Sequence, residues 1–376
     1  MPENRKSRIS YIDWLRGFAC LGMFEVHCYD SWLGGAARQT RFFRWSQLSG
    51  SIPAPLFVLL AGVAVALVTN RLERKGTAAR AIATRTMLRG AEIFGLGLLL
   101  RVQEFVLGWP LAPWTDLLRV DILNLIGLAL IAMGIFCWLV RDGIARTVLS
   151  AAVALAIALI TPLIWTDVRP NILPWFLESY INGVHIYKQP QSWLFPLFPW
   201  SGFAFAGLAV GFFLFGDWAV NHAARAVAWL GAMGAGIFCL SYWLDGQAFR
   251  LYPEYDYWHT SPNYFLARVG IMLIMFPAAY AWCRWFWGAK GFSPCIQLGQ
   301  TSLLVYWVHI EFVYGRLSIL PKRQQGIPLA TLGLCVIVVA MILLSVARTR
   351  WKGRGGELWG RIRGSFQRNA RAGSES

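Results

Sequence analysis

The chain has 376 residues, of which 57% are hydrophobic and 14% charged, with a formal net charge of +16 and a mean hydropathy of +0.48. Soluble domains carry roughly 45–50% apolar and about 25% charged residues, so these proportions exclude an ordinary cytosolic enzyme, a disordered chain and a fibrous one. Thirty-six Gly, 20 Trp and 24 Phe fit a polytopic membrane protein, in which glycine lets helices approach closely and Trp gathers at the interfaces.

Crossing the hydrocarbon core takes about 20 largely apolar residues. The sequence predicts about ten such segments, near 10–29, 51–70, 86–107, 120–140, 145–166, 193–215, 225–244, 264–287, 295–315 and 327–347. The expected fold class is therefore all-α: a polytopic integral membrane bundle of about ten transmembrane helices.

Ionisable residues inside spans are costly and are functional candidates by default. The first span carries Asp13 and Arg16 near one end and Glu25, His27 and Asp30 near the other. Asp13 and Arg16 stand three apart and neutralise one another on one helix face, either as a structural pair or as part of a site. His27 reads either as a buried histidine bonded to a neighbouring carbonyl or as a base. The second span opens on IPAPLF, which predicts an irregular start.

In the third span, Arg85 and Arg89 lie four apart near one end, and Arg101, Gln103 and Glu104 lie in the opposite half. A pair of guanidinium groups on one face suits a phosphate or pyrophosphate, although snorkelling anchors have the same spacing. Arg101 and Glu104 are expected to compensate each other. The fourth span begins RVDILNLIGLALI, with Asp121 and Asn124 three apart; the eighth brings in Arg268, and the ninth, GQTSLLVYWVHIEFVYG, brings His309 and Glu311.

Because consecutive spans alternate in direction, His27, Asp121, Asn124, Arg268, His309 and Glu311 all fall in the same half of the bilayer. Base, carboxylates and cation together are what a polar cavity would need. His259, within EYDYWHTSPNYF, is placed where it can line the mouth of a site; His185 and His222 read as loop residues. Seven cysteines are scattered singly with no CxxC spacing, so neither a disulfide framework nor a metal site is expected.

With ten spans, 22 of the 35 Lys and Arg residues fall on one side and ten on the other, which places both termini in the cytoplasm. The basic N-terminus lacks a cleavage pattern and reads as a retained first span. Residues 1–347 are expected to form the transmembrane domain and residues 348–376 a basic cytoplasmic tail drawn to anionic lipid. The +16 charge is then an orientation signal, and no nucleic-acid partner is expected. The longest loop, about 167–192, faces outward, and no period of 20–50 residues marks a repeat protein.

In RISYIDWLRGFACLGMFEVHCYDSW (8–32), an Asp and an Arg-Gly precede an apolar helix with a His near its far end. It is followed in order by PAPLFVLLAGVAVAL (53–67), RTMLRG (85–90), VDILNLIGLALI (120–131), FPLFPWSGFAFAGLAVG (195–211), SPNYFLARVG (261–270) and LGQTSLLVYWVHIEF (298–312). This ordered set resembles the heparan-alpha-glucosaminide N-acetyltransferase-like family, within the transmembrane acyltransferase superfamily that includes the acyltransferase-3 type. The resemblance implies transfer of an acyl group from cytoplasmic acyl-CoA, such as acetyl-CoA, to a hydroxyl or amino acceptor, often a sugar, on the far side. It also implies a multi-pass protein of the bilayer, here expected in a bacterial inner membrane.

Carried onto this chain, the resemblance makes His27 the catalytic histidine, and Arg85 and Arg89 the acyl-CoA-binding pair with Arg16 and Asp13 beside them. His27 matches the acyltransferase-3 placement, since Leu33 to Gly50 holds no histidine. Acyl transfer needs a base and an oxyanion donor. Arg268 or Asn124 is the expected donor, and Asp121 or Glu311 is expected to orient a histidine, with His309 completing the catalytic set. No metal enters this reading. A transporter or flippase of a lipid-linked or sugar substrate is the alternative from another class, though the halves show no visible duplication of the kind common in transporters.

Overall fold

The computed structural model describes residues 9–166, 173–182, 195–249, 251–252, 256–286 and 292–372, with side chains to 351 except at 166 and 286. His185 and the basic residues Arg5, Lys6, Arg8, Arg169, Lys188, Arg250 and Lys290, used above for orientation, lie outside the described residues. So do the side chains of the basic tail from Lys352 onward.

The described chain is helical, with only an isolated bridge between Leu33 and Gln325. The helices in order are α1 (Ser10–Trp32), α2 (Gly35–Arg38), α3 (Arg41–Gly50), α4 (Pro53–Glu73), α5 (Ala79–Gly108), α6 (Ile122–Leu139), α7 (Gly143–Thr166) and α8 (Trp175–Asn182). They continue with α9 (Leu197–Leu214), α10 (Asp217–Asn221), α11 (Ala223–Asp245), α12 (Pro262–Ala281), α13 (Pro294–Gln300), α14 (Ser302–Val313) and α15 (Ile327–Ala372).

Seven described helical stretches are long and apolar enough to cross a membrane, and the protein is a polytopic helical membrane protein. Ten segments were expected, and the difference has physical causes. Helices α1 and α5 have the length, 23 and 30 residues, but their charged residues lower their apolarity. The ninth expected segment is not one helix. It breaks at Thr301, whose backbone (φ −124°, ψ 23°) separates α13 from α14.

That break leaves the Gln297 carbonyl without its helical donor, because Thr301 N–H bonds to Leu298 instead. Ser345 of α15 fills the gap by donating to the Gln297 carbonyl at 2.9 Å, and its Oγ lies 2.5 Å from the Thr301 hydroxyl. Within a membrane an interrupted helix persists only where such partners satisfy the freed backbone groups.

The irregular start expected for the second span is resolved by α3, which precedes it; α4 then opens with Pro53 in its first turn, where a missing N–H costs nothing. Helix α15 runs through residue 347 without interruption.

Helix pairs α5–α6, α11–α12, α4–α9, α7–α9 and α1–α13 form the principal contacts. Lipid gives helices no hydrophobic reason to associate, so close backbone packing must hold them. In the α1–α13 pair, a Cβ on Gly17 would overlap the Cys295 carbonyl, and one on Gly299 would overlap the Asp13 carbonyl. This pair sets α1 against the α13–α14 segment, and so fixes the height of His27 relative to His309.

Candidate functional site

A cavity of about 1300 Å³ is bounded mainly by α1, α4, α5, α6 and α14. Its wall follows α1 from Arg16 to Asp30, about 21 Å at roughly 1.5 Å per residue. On α5 it runs from Arg85 past Arg101 and Glu104 to Gly108. Arg85 and Arg89 also line a surface groove of about 790 Å³ with Arg80 and Thr84 at the start of α5. The cavity therefore joins the arginine end of α1 and α5 to the histidine end of α1.

Near the far end, His27 borders the cavity and its Nδ1 lies 2.9 Å from Nε2 of His309. The two rings are within 7° of parallel, and the Tyr314 ring meets His27 edge-on. His309 is fully buried, with Nδ1 2.9 Å from the Val305 carbonyl and the Phe24 ring against it. It stands behind His27 and is absent from the cavity wall.

Asp121 and Asn124, expected as catalytic groups, are engaged in building the fold. Asp121 caps α6, accepting from Leu123 N–H at 3.0 Å, while the Asn124 side chain accepts from Asp121 N–H at 3.2 Å. This reciprocal capping box satisfies the free donors of the helix start. Asn124 is completely buried, donates to the Phe94 carbonyl and does not line the cavity, so it is not positioned as an oxyanion donor.

The Asp121 carboxylate also accepts from Arg101 at 2.8 Å and from the Tyr306 hydroxyl at 3.0 and 3.1 Å. Arg101 pairs in turn with Glu104 at 2.7 Å, as the i, i+3 spacing predicts. Asp121 faces the cavity while its carboxylate is bonded to Leu123, Arg101 and Tyr306.

Arg268 borders the cavity with its guanidinium 3.7 Å above the Tyr264 ring and a hydrogen bond to the Tyr264 hydroxyl. Its buried Nε has no hydrogen-bond partner among the described residues. Glu311 also faces the cavity. Its Oε1 accepts from Gln103 at 2.7 Å, Gln103 accepts from Trp307 Nε1 at 2.9 Å, and its buried Oε2 has no such partner among the described residues. Both residues line the cavity, while these two atoms are themselves buried.

At the other end, Arg16 borders the cavity and lies 3.7 Å from Asp13, as the spacing predicted; Asp13 itself is buried off the wall. Arg85 and Arg89 are exposed, and Arg89 contacts Glu92 at 2.7 Å. His259 pairs with Asp256 at 2.7 Å on the surface and does not line the cavity; His222 is an exposed residue bonded to the Trp218 carbonyl.

Sequence reasoning did not single out Tyr306, Tyr314 or Tyr264, and it named Gln103 without its partners. A signal was present for one of them: Tyr306 stands one turn before His309, as Trp307, the partner of Gln103, does before Glu311. The Asp30 carboxylate accepts from Tyr314 at 3.0 Å and from Arg38 at 3.0 Å, and Asp30, Tyr314 and His27 line the cavity together.

No curated protein matches the chain. Residues 8–244, well over half its length, match the family described as heparan-alpha-glucosaminide N-acetyltransferase, catalytic. That match takes in α1 with His27, the arginines of α5 and the capped start of α6. The chain belongs to the heparan-alpha-glucosaminide N-acetyltransferase catalytic family and is an enzyme of the transferase class.

Proposed function

We propose that the protein moves an acetyl group from acetyl-CoA, taken up from the cytoplasm, to a hydroxyl or amino group of a glycan or other small acceptor at the outer face of a bacterial inner membrane. In this reading the chain crosses the bilayer ten times with both termini in the cytoplasm, and residues 348–376 form a basic tail beside the membrane. The observation that carries the proposal is the single cavity lined by Arg16, Arg85 and Arg89 at one end and by His27 at the other. A donor bearing phosphates suits the arginine end, and its acyl thioester then extends toward the histidine.

His27 removes the proton from the acceptor as that group attacks the thioester carbonyl. The oxyanion that develops needs donors aimed into a space that excludes water. Arg268 lines the cavity and its Nε has no hydrogen-bond partner among the described residues, which supports that residue as one such donor. Collapse of the tetrahedral intermediate breaks the carbon–sulfur bond, and the thiolate leaves with the proton that His27 had taken. No step requires a metal.

Vesicles of both orientations, supplied with acetyl-labelled acetyl-CoA and candidate glycans, test the reading. Label is expected in the glycan only when acetyl-CoA reaches the cytoplasmic face, and not in the His27→Ala variant. Label transfer that persists in that variant removes His27 from the mechanism. Movement of an unmodified glycan across the membrane, without label, supports the transporter reading instead.

A further inference from the structure

We propose that His309 is a positioning residue that fixes which nitrogen of His27 is free to take a proton; this deepens, and rests on, the acyl-transfer reading above. The argument starts from a backbone carbonyl, which can only accept. Nδ1 of His309 lies 2.9 Å from the Val305 carbonyl, so Nδ1 carries the hydrogen. In a neutral imidazole the other nitrogen is then an acceptor.

That acceptor, Nε2 of His309, lies 2.9 Å from Nδ1 of His27. Nδ1 of His27 must therefore donate, and the lone pair of His27 is confined to Nε2. Val305, one helical turn before His309, thus sets the tautomer of a residue on another helix through one intervening ring. The near-parallel rings suit a hydrogen bond in their common plane, and Phe24 and Tyr306 hold the His309 ring on its other sides.

Without the His309 acceptor, His27 would divide between two tautomers, one of which has no lone pair at Nε2. When the acceptor's proton arrives at Nε2, His27 becomes an imidazolium and continues to donate through Nδ1. The proton stops there. Passing it to His309 would charge a fully buried ring whose other nitrogen is already bound. The same proton then leaves from Nε2 to the CoA thiolate, so the pair returns to its starting state in each turnover.

The test compares His309→Phe, which keeps a ring but removes the acceptor, with His309→Gln, whose amide oxygen can stand where Nε2 stood. In purified full-length protein, His309→Phe is expected to lower kcat at least tenfold with KM for acetyl-CoA within twofold of the wild type. His309→Gln is expected to recover to within a fewfold of wild-type kcat. Equal losses in both variants, or an unchanged kcat in His309→Phe, overturn the proposal.

A second measurement does not depend on either variant folding. Diethyl pyrocarbonate attacks unprotonated, accessible imidazole nitrogens, and peptide mapping of the wild-type protein is expected to find the adduct on His27 and not on His309. An adduct on His309, or none on His27, overturns the assignment. Untreated wild-type protein that transfers no acetyl group, from a preparation whose treated portion carries the adduct on His27 and not on His309, refutes the acyl-transfer reading while leaving the pairing intact.

Discussion

Arg101 and Asp121 form an ion pair at 2.8 Å with both side chains buried, at the point where α5 meets the capped start of α6. Breaking a buried pair costs about 3–5 kcal/mol where the remaining charge is left uncompensated; Glu104, 2.7 Å from Arg101, offsets part of that cost when Asp121 is removed. Asp121→Ala also removes the helix cap, worth about 1 kcal/mol more. A large fall in the thermal unfolding midpoint of the detergent-solubilised protein is therefore expected, with activity lost alongside the fold. Should Asp121→Ala unfold like the wild type and lose only kcat, Asp121 acts on the substrate and the structural account of it is wrong.

The contact between α1 and α13 gives a second expectation. A methyl group on Gly299 would overlap the carbonyl oxygen of Asp13, a backbone atom that cannot swing aside as a side chain can. Overpacking of this kind costs about 1–3 kcal/mol, and it forces apart the two segments that carry His27 and His309. Gly299→Ala is expected to lower both the unfolding midpoint and kcat. Gly236→Ala on α11, where an added Cβ meets nothing within 4 Å, serves as the control and is expected to leave kcat unchanged and to hold or slightly raise the unfolding midpoint.

Arg85 and Arg89 are exposed on the cavity and on the adjoining groove, so their removal leaves no buried charge behind. Hydrogen bonds to charged groups contribute about 1.5–3 kcal/mol each, and 1.4 kcal/mol is a factor of about ten. The double variant Arg85→Ala/Arg89→Ala is expected to raise KM for acetyl-CoA at least tenfold while kcat and the unfolding midpoint stay close to those of the wild type. A steady-state titration with acetyl-CoA checks this, and an unchanged KM would return the two arginines to the role of membrane anchors.

Much of this arrangement was legible in the sequence because the bilayer makes polar residues conspicuous. Depth alone grouped His27, Asp121, Asn124, Arg268, His309 and Glu311, and i, i+3 spacing paired Asp13 with Arg16 and Arg101 with Glu104; these two contacts are present. What the spacing could not give was contact between helices. Asp121 and Asn124 read as site residues because D-x-x-N at the head of an apolar run was weighed for charge and not for capping.

The break at Thr301 was hidden for a related reason. Its flanks are apolar enough for one span, and the partner that permits the break, Ser345, lies in a distant segment. The His27–His309 contact joins residues 282 positions apart, and only the packing of α1 on the α13–α14 segment brings them together.

Glu311 provides the expectation for the acceptor side. One oxygen is bound by Gln103, the other is buried without a hydrogen-bond partner among the described residues, and the residue lines the cavity that His27 also borders. A buried acceptor left unmade costs about 1–3 kcal/mol, more when charged, so a bound molecule that donates to it recovers that cost. Glu311→Gln keeps the Gln103 contact through its amide oxygen and places an NH₂ where the free oxygen stood. Its size is unchanged, and the unfolding midpoint should hold or rise as a buried charge is removed. KM for the acceptor is expected to rise about tenfold, in line with the loss of one charge-assisted bond, while KM for acetyl-CoA stays within twofold. Titrating each substrate at saturating concentration of the other separates the two effects. A rise in KM for acetyl-CoA alone would put Glu311 on the donor side of the reaction.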